Sequence, residues 1–456
     1  MDTNLSILSK HSIGILLVFG ILSIFFATII FLLPFITTIG LLCLLFIIAS
    51  FLYRPLFGFL LIVILRASVD FLSSYFSLSI TENIHLNMAS IFAILLILSS
   101  SILITIHWKT ALKAPLIIPF TLFIGFSAIS FLYSIDKAAT VQETIRLVSI
   151  FMSFMTAYIL TIKIPNARKI IISTLLFSAF IPVVFALYQL MTGTGFTDNT
   201  GTEGRLFGTF KQPNAFASFL LLIISILTYK IFSTKIQLQE KNFYKPLLFF
   251  TIALLLLTFS RGGWLALLIF FTIFSLLKAP KILFITIGFV TILFFTSQAI
   301  HERIEDIYNP PADSSIRWRA EQWKDALTAW ELSPIYGHGA GTEIKIHEQE
   351  QGFNAGNPYT HNDMIKALQE TGVIGFSLFI LLLGSTTILL IKQYLTLTNK
   401  NEKLFVLVIL LLFISEIIFG MSSNIWRSTA IEWLIWVLVA SALSIKKNTS
   451  TSVQSF

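Results

Sequence analysis

Apolar runs of about 17–25 residues, each long enough to cross a bilayer, recur along this chain with short polar connections between them. They fall near 12–33, 35–53, 55–70, 86–106, 114–132, 141–162, 169–190 and 214–232. Others follow near 246–260, 262–278, 281–299, 372–393, 403–423 and 429–445. The runs are continuous rather than alternating, which excludes the strands of a membrane barrel. The pattern predicts an all-α polytopic membrane protein of about 12–14 transmembrane helices. Lys10 precedes the first run and no small-residue cleavage site follows it, so it reads as a retained helix rather than a signal peptide.

Lysine and arginine set the expected orientation. Arg54, Lys109 with Lys113, and Lys163 with Arg168 and Lys169 fall on one side. Lys235, Lys241 and Lys245, Lys278 with Lys281, Lys392 with Lys400 and Lys403, and Lys446 with Lys447 fall on that same side. This side is expected to be cytoplasmic and to carry both termini. No internal repeat suggests the paired halves of a transporter. The opposite face carries 191–213, a tight corner at Ser260–Arg261, and a long segment from about 300 to 371. The chain thus divides into N-terminal transmembrane helices (1–190), a transmembrane core with the Arg205 loop and Arg261 turn (191–299), a loop subdomain (300–371) and C-terminal transmembrane helices (372–456).

Within the loop subdomain, Ser314 or Ser315 can cap a helix running to about Glu331, and Pro334 with Gly337, Gly339 and Gly341 then forces a loop. Arg319, Trp323, Leu327 and Trp330 recur at helical spacing as one stripe, which suits a helix lying flat at the membrane surface.

Composition sharpens this picture. Only 12% of residues are charged and 56% are hydrophobic, against roughly 25% charged in a soluble domain. The net charge of +8 belongs to topology-setting connections, so a nucleic-acid partner is rejected. Cys43 is the only cysteine and sits inside an apolar run, which leaves neither a disulfide nor a cysteine metal site. It reads as a small buried hydrophobe.

The candidate chemistry gathers on the face opposite the lysines. In "TFSRGGWLAL", Arg261 stands at the end of one span and the start of the next, with two glycines available for a sharp turn. A cation at membrane depth is costly and suggests function, although an arginine can also snorkel to solvent. In "GRLFGTFKQPNAFASFL", Arg205 and Lys211 precede Asn214 at a helix start, an arrangement that suits an anion as well as a headgroup anchor. Arg317 and Arg319 add guanidinium forks, which match phosphate oxygens bidentately. Three separate segments thus offer arginine to one diphosphate, and the same groups would stabilise charge on a leaving diphosphate. His361, in "THND", can accept a proton near neutral pH and so activate a hydroxyl; a bland surface histidine is the competing reading. His301, His338 and His347 show no convincing metal-ligand spacing with carboxylates. Glu416 and Glu432 lie inside apolar spans and are expected to pair with Arg427 or other cations.

Four stretches carry a resemblance: "RLFGTFKQPNAFASFL", "SRGGWL", "RAEQWKDALTAWELSPIYGHGAGT" and "HNDMIKALQETGVIG". In this order they resemble the bacterial O-antigen ligase family, within the larger group that also holds Wzy-type polymerases. The Arg-x-x-x-Leu element of ligases is met by Arg261 and Leu265. His-Asn, nine residues and Gly-x-x-Gly are met by His361, Asn362, Gly372 and Gly375. The resemblance implies a GT-C-type glycosyltransferase of the inner membrane, with its site facing the periplasm. The implied donor is an undecaprenyl-diphosphate-linked glycan and the implied acceptor a sugar hydroxyl of lipid A–core, with inversion and without metal or other cofactor. His361, Arg261 and Arg319 take the catalytic positions, with Arg319 and Trp323 meeting an Arg-x-x-x-Trp spacing. Arg205, Lys211, Asn214, Arg317, Trp323 and Asn362 are expected to bind diphosphate or acceptor. A polymerase, whose acceptor is another lipid-linked repeat, is the nearest alternative, and a lipid flippase or transporter the more distant one.

Overall fold

The computed structural model describes residues 46–72, 77–81, 84–196, 204–281, 315–351 and 359–446, with isolated positions at 284, 288 and 291. The expected span at 12–33, most of those at 35–53 and 281–299, Cys43, His301 and Ser314 lie outside them. Two compact units are separated at Gly58. In the first, residues 46–53 are helical and the next helix starts at Pro55.

That helix, α1 (Pro55–Leu72), runs through the boundary, and the rest of the second unit is built almost wholly of helices: α2 (Met88–Ile106), α3 (Ile117–Ile129), α4 (Lys137–Lys163), α5 (Ala167–Phe177) and α6 (Phe180–Thr192). Then come α7 (Pro213–Phe232), α8 (Leu238–Leu256), α9 (Arg261–Lys278), α10 (Ser315–Leu332), α11 (Glu343–Gln351), α12 (Asp363–Thr396), α13 (Lys400–Gly420) and α14 (Thr429–Leu443). One short antiparallel hairpin, Ser77–Thr81 with Ile84–Asn87, departs from the all-α expectation. Among the described residues seven helical spans are long and apolar enough to cross a membrane, with three shorter apolar helices near 55–68, 117–132 and 429–443. Every one of these follows an apolar run read from the sequence, but the count of twelve to fourteen is not reached among them.

Caps fix several helix starts. Asp136 accepts from the Ala139 amide at 3.0 Å, Ser260 from Gly263 at 3.2 Å and Asn399 from Asn401 at 3.0 Å, while Pro213 opens α7 without an orphaned donor. Between lipid-facing helices, association rests on close packing and polar contacts rather than on water exclusion. The Ser100 and Thr156 hydroxyls meet at 2.6 Å between α2 and α4. Trp433 donates to Ser149 at 3.0 Å between α14 and α4. Around Trp436 the rings of Phe120, Phe413 and Trp426 pack edge-on at 4.6, 5.6 and 6.2 Å.

The lysine-rich connections meet at one end of the bundle. There Asn401 accepts from Ser233 and Thr234, Arg168 reaches Glu402 at 3.6 Å and Lys403 lies over the Tyr394 ring at 4.8 Å. The other end gathers the 204–212 loop, the Ser260 corner, the 333–342 loop and the 359–363 turn.

α12 is two helices joined at Gly372, whose φ of 61° and ψ of −169° no helix accommodates. An unbroken helix would pair the Val373 amide with Gln369 and the Ile374 amide with Glu370. Instead the 333–342 loop intercepts both pairs. Val373 donates to Pro334 at 2.9 Å and Ile374 to Ile335 at 3.3 Å, while Gln369 and Glu370 accept from His338 and Gly339 at 3.3 and 2.8 Å. Backbone approaches backbone so closely that a Cβ at Gly372 would lie 2.3 Å from the Ile335 carbonyl, and one at Gly337 2.4 Å from Glu370. These glycines serve the junction between loop and broken helix.

Gly372→Ala is therefore expected to cost roughly 2–4 kcal/mol, from left-handed strain and overpacking. The apparent melting temperature of the detergent-solubilised protein should fall well below wild type. Gly384→Ala on the same helix, where added carbon meets open space, should leave it unchanged or slightly raised. Equal melting of the two variants would contradict the junction.

Candidate functional site

The Ser260 corner is assembled from three segments. Arg205 donates from Nε to the Thr258 carbonyl at 3.0 Å, and the Leu206 amide to the Leu257 carbonyl at 3.1 Å. Ser260 donates to the Asn214 side-chain oxygen at 2.8 Å. Arg205, Asn214 and Arg261 are thus brought to one place from three parts of the sequence. The chain reverses here on Phe259, whose φ is 48°, so the glycines do not make the turn as the sequence reading supposed. Gly262 and Gly263 lie inside the first turn of α9 and permit close packing instead. A Cβ on Gly262 would lie 2.4 Å from the Ser422 hydroxyl, and one on Gly263 2.9 Å from Ala217.

α10 spans the residues expected, but its buried side is Gln322, Ala326 and Ala329, next to the stripe read from the sequence. α10 packs against α12, and small residues on a buried helix side permit close approach. Leu327 is left exposed, and Trp323 instead turns its indole N–H to the Thr360 carbonyl at 2.7 Å. Arg319 is half-buried; Arg317 and, on the 204–212 loop, Lys211 are exposed.

His361 sits between these groups, 8% exposed. Its φ of 51° is left-handed, a conformation that costs a non-glycine residue about 1–3 kcal/mol. Trp318 packs edge-on against the imidazole at 5.7 Å. Burial, and then the charges of Arg319, Arg427 and Arg205, lower the imidazole from its ordinary value to about 3. It is therefore neutral across the physiological range, one ring nitrogen a donor and the other an acceptor. The Asn362 side-chain oxygen is engaged as the cap of α12, accepting from Met364 and Ile365 at 3.0 and 3.2 Å.

Several contributors were not read from the sequence. Arg427 lies 3.7 Å over the Tyr359 ring and 3.4 Å from Glu343, rather than pairing with Glu416 or Glu432. Glu432 pairs with Arg146, and Glu416 accepts from Ser218 at 2.8 Å. Beneath the turn, Lys366 bridges Glu370 at 2.8 Å and Glu143 at 3.3 Å, and Arg146 joins Glu143 at 2.8 Å. Asp363 accepts from the Trp426 amide at 3.0 Å. Ionisable pairs within otherwise apolar spans, such as Glu143 with Arg146, were the available signal. Among the described residues no group of three or more histidine, cysteine, aspartate or glutamate side chains could hold a metal ion.

The histidine environment makes a direct prediction. In 15N-histidine NMR of the free protein, the His361 signals should not titrate between pH 5 and 8. Arg427→Gln removes a repelling positive charge and should raise the imidazole value, still short of ordinary because burial is the larger cause. A midpoint near pH 6.5 in the wild type would contradict the arrangement.

Comparison with known proteins meets this geometry. Residues 246–380 match the family model described as O-antigen ligase, Wzy_C. A Haemophilus influenzae protein described as uncharacterized is 26% identical over 203 residues, covering 38% of this chain and 50% of that protein. The chain therefore spans about half the length of that curated relative. The matched segment runs from the Arg261 corner through Arg319 to His361 and the Gly372 junction, and over it the chain is similar to the O-antigen ligase family.

Proposed function

We propose that this multi-pass membrane protein is an O-antigen ligase, transferring a glycan from undecaprenyl diphosphate to a sugar hydroxyl of lipid A–core. The observation that carries the reading is a neutral, buried histidine within the field of Arg205, Arg319 and Arg427. Cations around a neutral acceptor suit a reaction in which an anion leaves while a hydroxyl loses its proton. The lysine-rich end of the bundle is assigned to the cytoplasm, which puts this site at the periplasmic face of the inner membrane. The architecture is assigned to the GT-C type, with the 300–371 segment as its periplasmic subdomain.

In this reading the donor diphosphate lies against Arg205, Arg261 and Arg319, with Arg427 adding to the positive field. The acceptor hydroxyl hydrogen-bonds to the His361 imidazole. The acceptor oxygen forms a bond to the anomeric carbon from the side opposite the diphosphate, inverting that centre. The bond from that carbon to the diphosphate oxygen breaks, and undecaprenyl diphosphate leaves. The hydroxyl proton passes to His361 and from there to solvent. No metal or cofactor is called for. Burial is the larger cause of the low basicity of His361, and a bound diphosphate would offset the second, the arginine charges, so donor binding raises the basicity of the imidazole when it is needed.

The test is transfer by purified protein in lipid nanodiscs, without ATP, from lipid-linked glycan to either lipid A–core or a second lipid-linked repeat. Product on lipid A–core is expected. Product only on the lipid-linked repeat would make the protein a polymerase, and no product from folded protein would favour a transporter. His361→Ala and Arg261→Ala should each lower kcat by about 100-fold or more with wild-type melting. Wild-type turnover in either would remove that residue from the mechanism.

A further inference from the structure

Glu343, the first residue of α11, follows directly on the loop that fills the Gly372 break, and it is 3% exposed. Its carboxylate is directed at the residue before His361. One oxygen accepts from the Thr360 amide at 2.8 Å and the Thr360 hydroxyl at 2.7 Å. The Asn424 amide reaches the same oxygen at 3.4 Å. The other oxygen faces Arg427 at 3.4 Å. The backbone amide of Glu343 donates to Glu370 at 3.1 Å, tying its position to the first arm of α12.

Thr360 is consequently gripped at every polar atom it has, because Trp323 donates to its carbonyl at 2.7 Å. On the other side of the histidine, Asn362 is committed to capping α12. The left-handed turn at His361 lies between two fixed neighbours. Such a conformation persists in a non-glycine residue only where the surroundings over-determine it. A carboxylate that served only to neutralise Arg427 would not place its two shortest bonds on a threonine. A buried carboxylate is costly unless donors surround it, and here two of its four donors, including the two closest, belong to the turn.

We propose that Glu343 is the positioning residue for His361: its carboxylate clamps Thr360 and so holds the imidazole in register with the acceptor hydroxyl. This rests on the reading of His361 as the group that takes the acceptor proton. Glu343 itself touches neither substrate. A shift of about 1 Å in a reacting group can lower turnover on the order of 100-fold, so the effect belongs in kcat and not in donor affinity.

The experiment is the nanodisc transfer assay on wild type, Glu343→Ala, Glu343→Gln, Thr360→Val and His361→Ala, with kcat and donor KM measured separately. Glu343→Ala should lose about 30–300-fold in kcat with donor KM within about threefold of wild type. Glu343→Gln keeps a carbonyl oxygen for Thr360 and should recover to within about tenfold of wild type. Thr360→Val loses the hydroxyl but keeps the amide, and should fall between them with native melting. If His361→Ala turns over normally, the functional reading fails and takes this inference with it. If His361→Ala is inactive while Glu343→Ala keeps kcat within about twofold of wild type, the positioning role alone is overturned. Equal losses in the Gln and Ala variants would also overturn it, by showing that charge toward Arg427 is what matters. Should Glu343→Ala fail to fold, Thr360→Val decides, and wild-type kcat there overturns the proposal.

Discussion

At Gly372 the long helix stops pairing its own backbone, and the 333–342 loop supplies the partners that the break exposes. Backbone polar groups at membrane depth must be satisfied by protein, so an interrupted helix survives only where something docks against it. That requirement ties the loop to the bundle. The loop in turn delivers Glu343 to the His361 turn and sets α10 beside it, with Arg319 and Trp323 in reach. Replacing the loop with lipid would leave two amides and two carbonyls without partners and would release the histidine at the same time.

Charge is organised around the same junction. The first arm of α12 carries Asp363, Lys366 and Glu370 into the bundle, where Glu143, Arg146 and Glu432 meet them from α4 and α14. Buried pairs of this kind stabilise weakly in comparison with an apolar core of equal volume, but removing one partner strands the other. They are better understood as a device for fixing where three elements meet. Nearer the histidine Arg205, Arg319 and Arg427 supply positive charge, and in the proposed reaction an anionic donor would lie against them.

Much of this was legible in the sequence, for physical reasons that differ by residue. Continuous apolar runs announced the helices because length against bilayer thickness is a strong constraint. Pro334 and the three following glycines announced a loop, and the resemblance picked out His361, Gly372 and Gly375, but as the start of a span and not as a broken helix with a loop docked against it. What could not be read were pairings across sequence distance. Nothing local distinguishes Glu343 from any other glutamate at a helix start, or indicates that Trp323 would point at Thr360 rather than at lipid. Arg427 looked like a partner for Glu416 or Glu432 because both share its C-terminal spans, whereas the fold gives it Glu343 from the loop subdomain. The two glycines after Arg261 suggested a turn, but the close approach of Ser422 and Ala217 explains them, with Phe259 taking the left-handed position.

In the proposed reaction an anion binds among Arg205, Arg319 and Arg427 beside the neutral His361. The most direct test is the His361 imidazole titration, followed by 15N-histidine NMR with and without saturating undecaprenyl diphosphate. The bound diphosphate should offset the neighbouring positive charges and move the His361 midpoint upward from its low value in the free protein. A midpoint that stays where it was, with the diphosphate demonstrably bound, would place the anion elsewhere and contradict the site described.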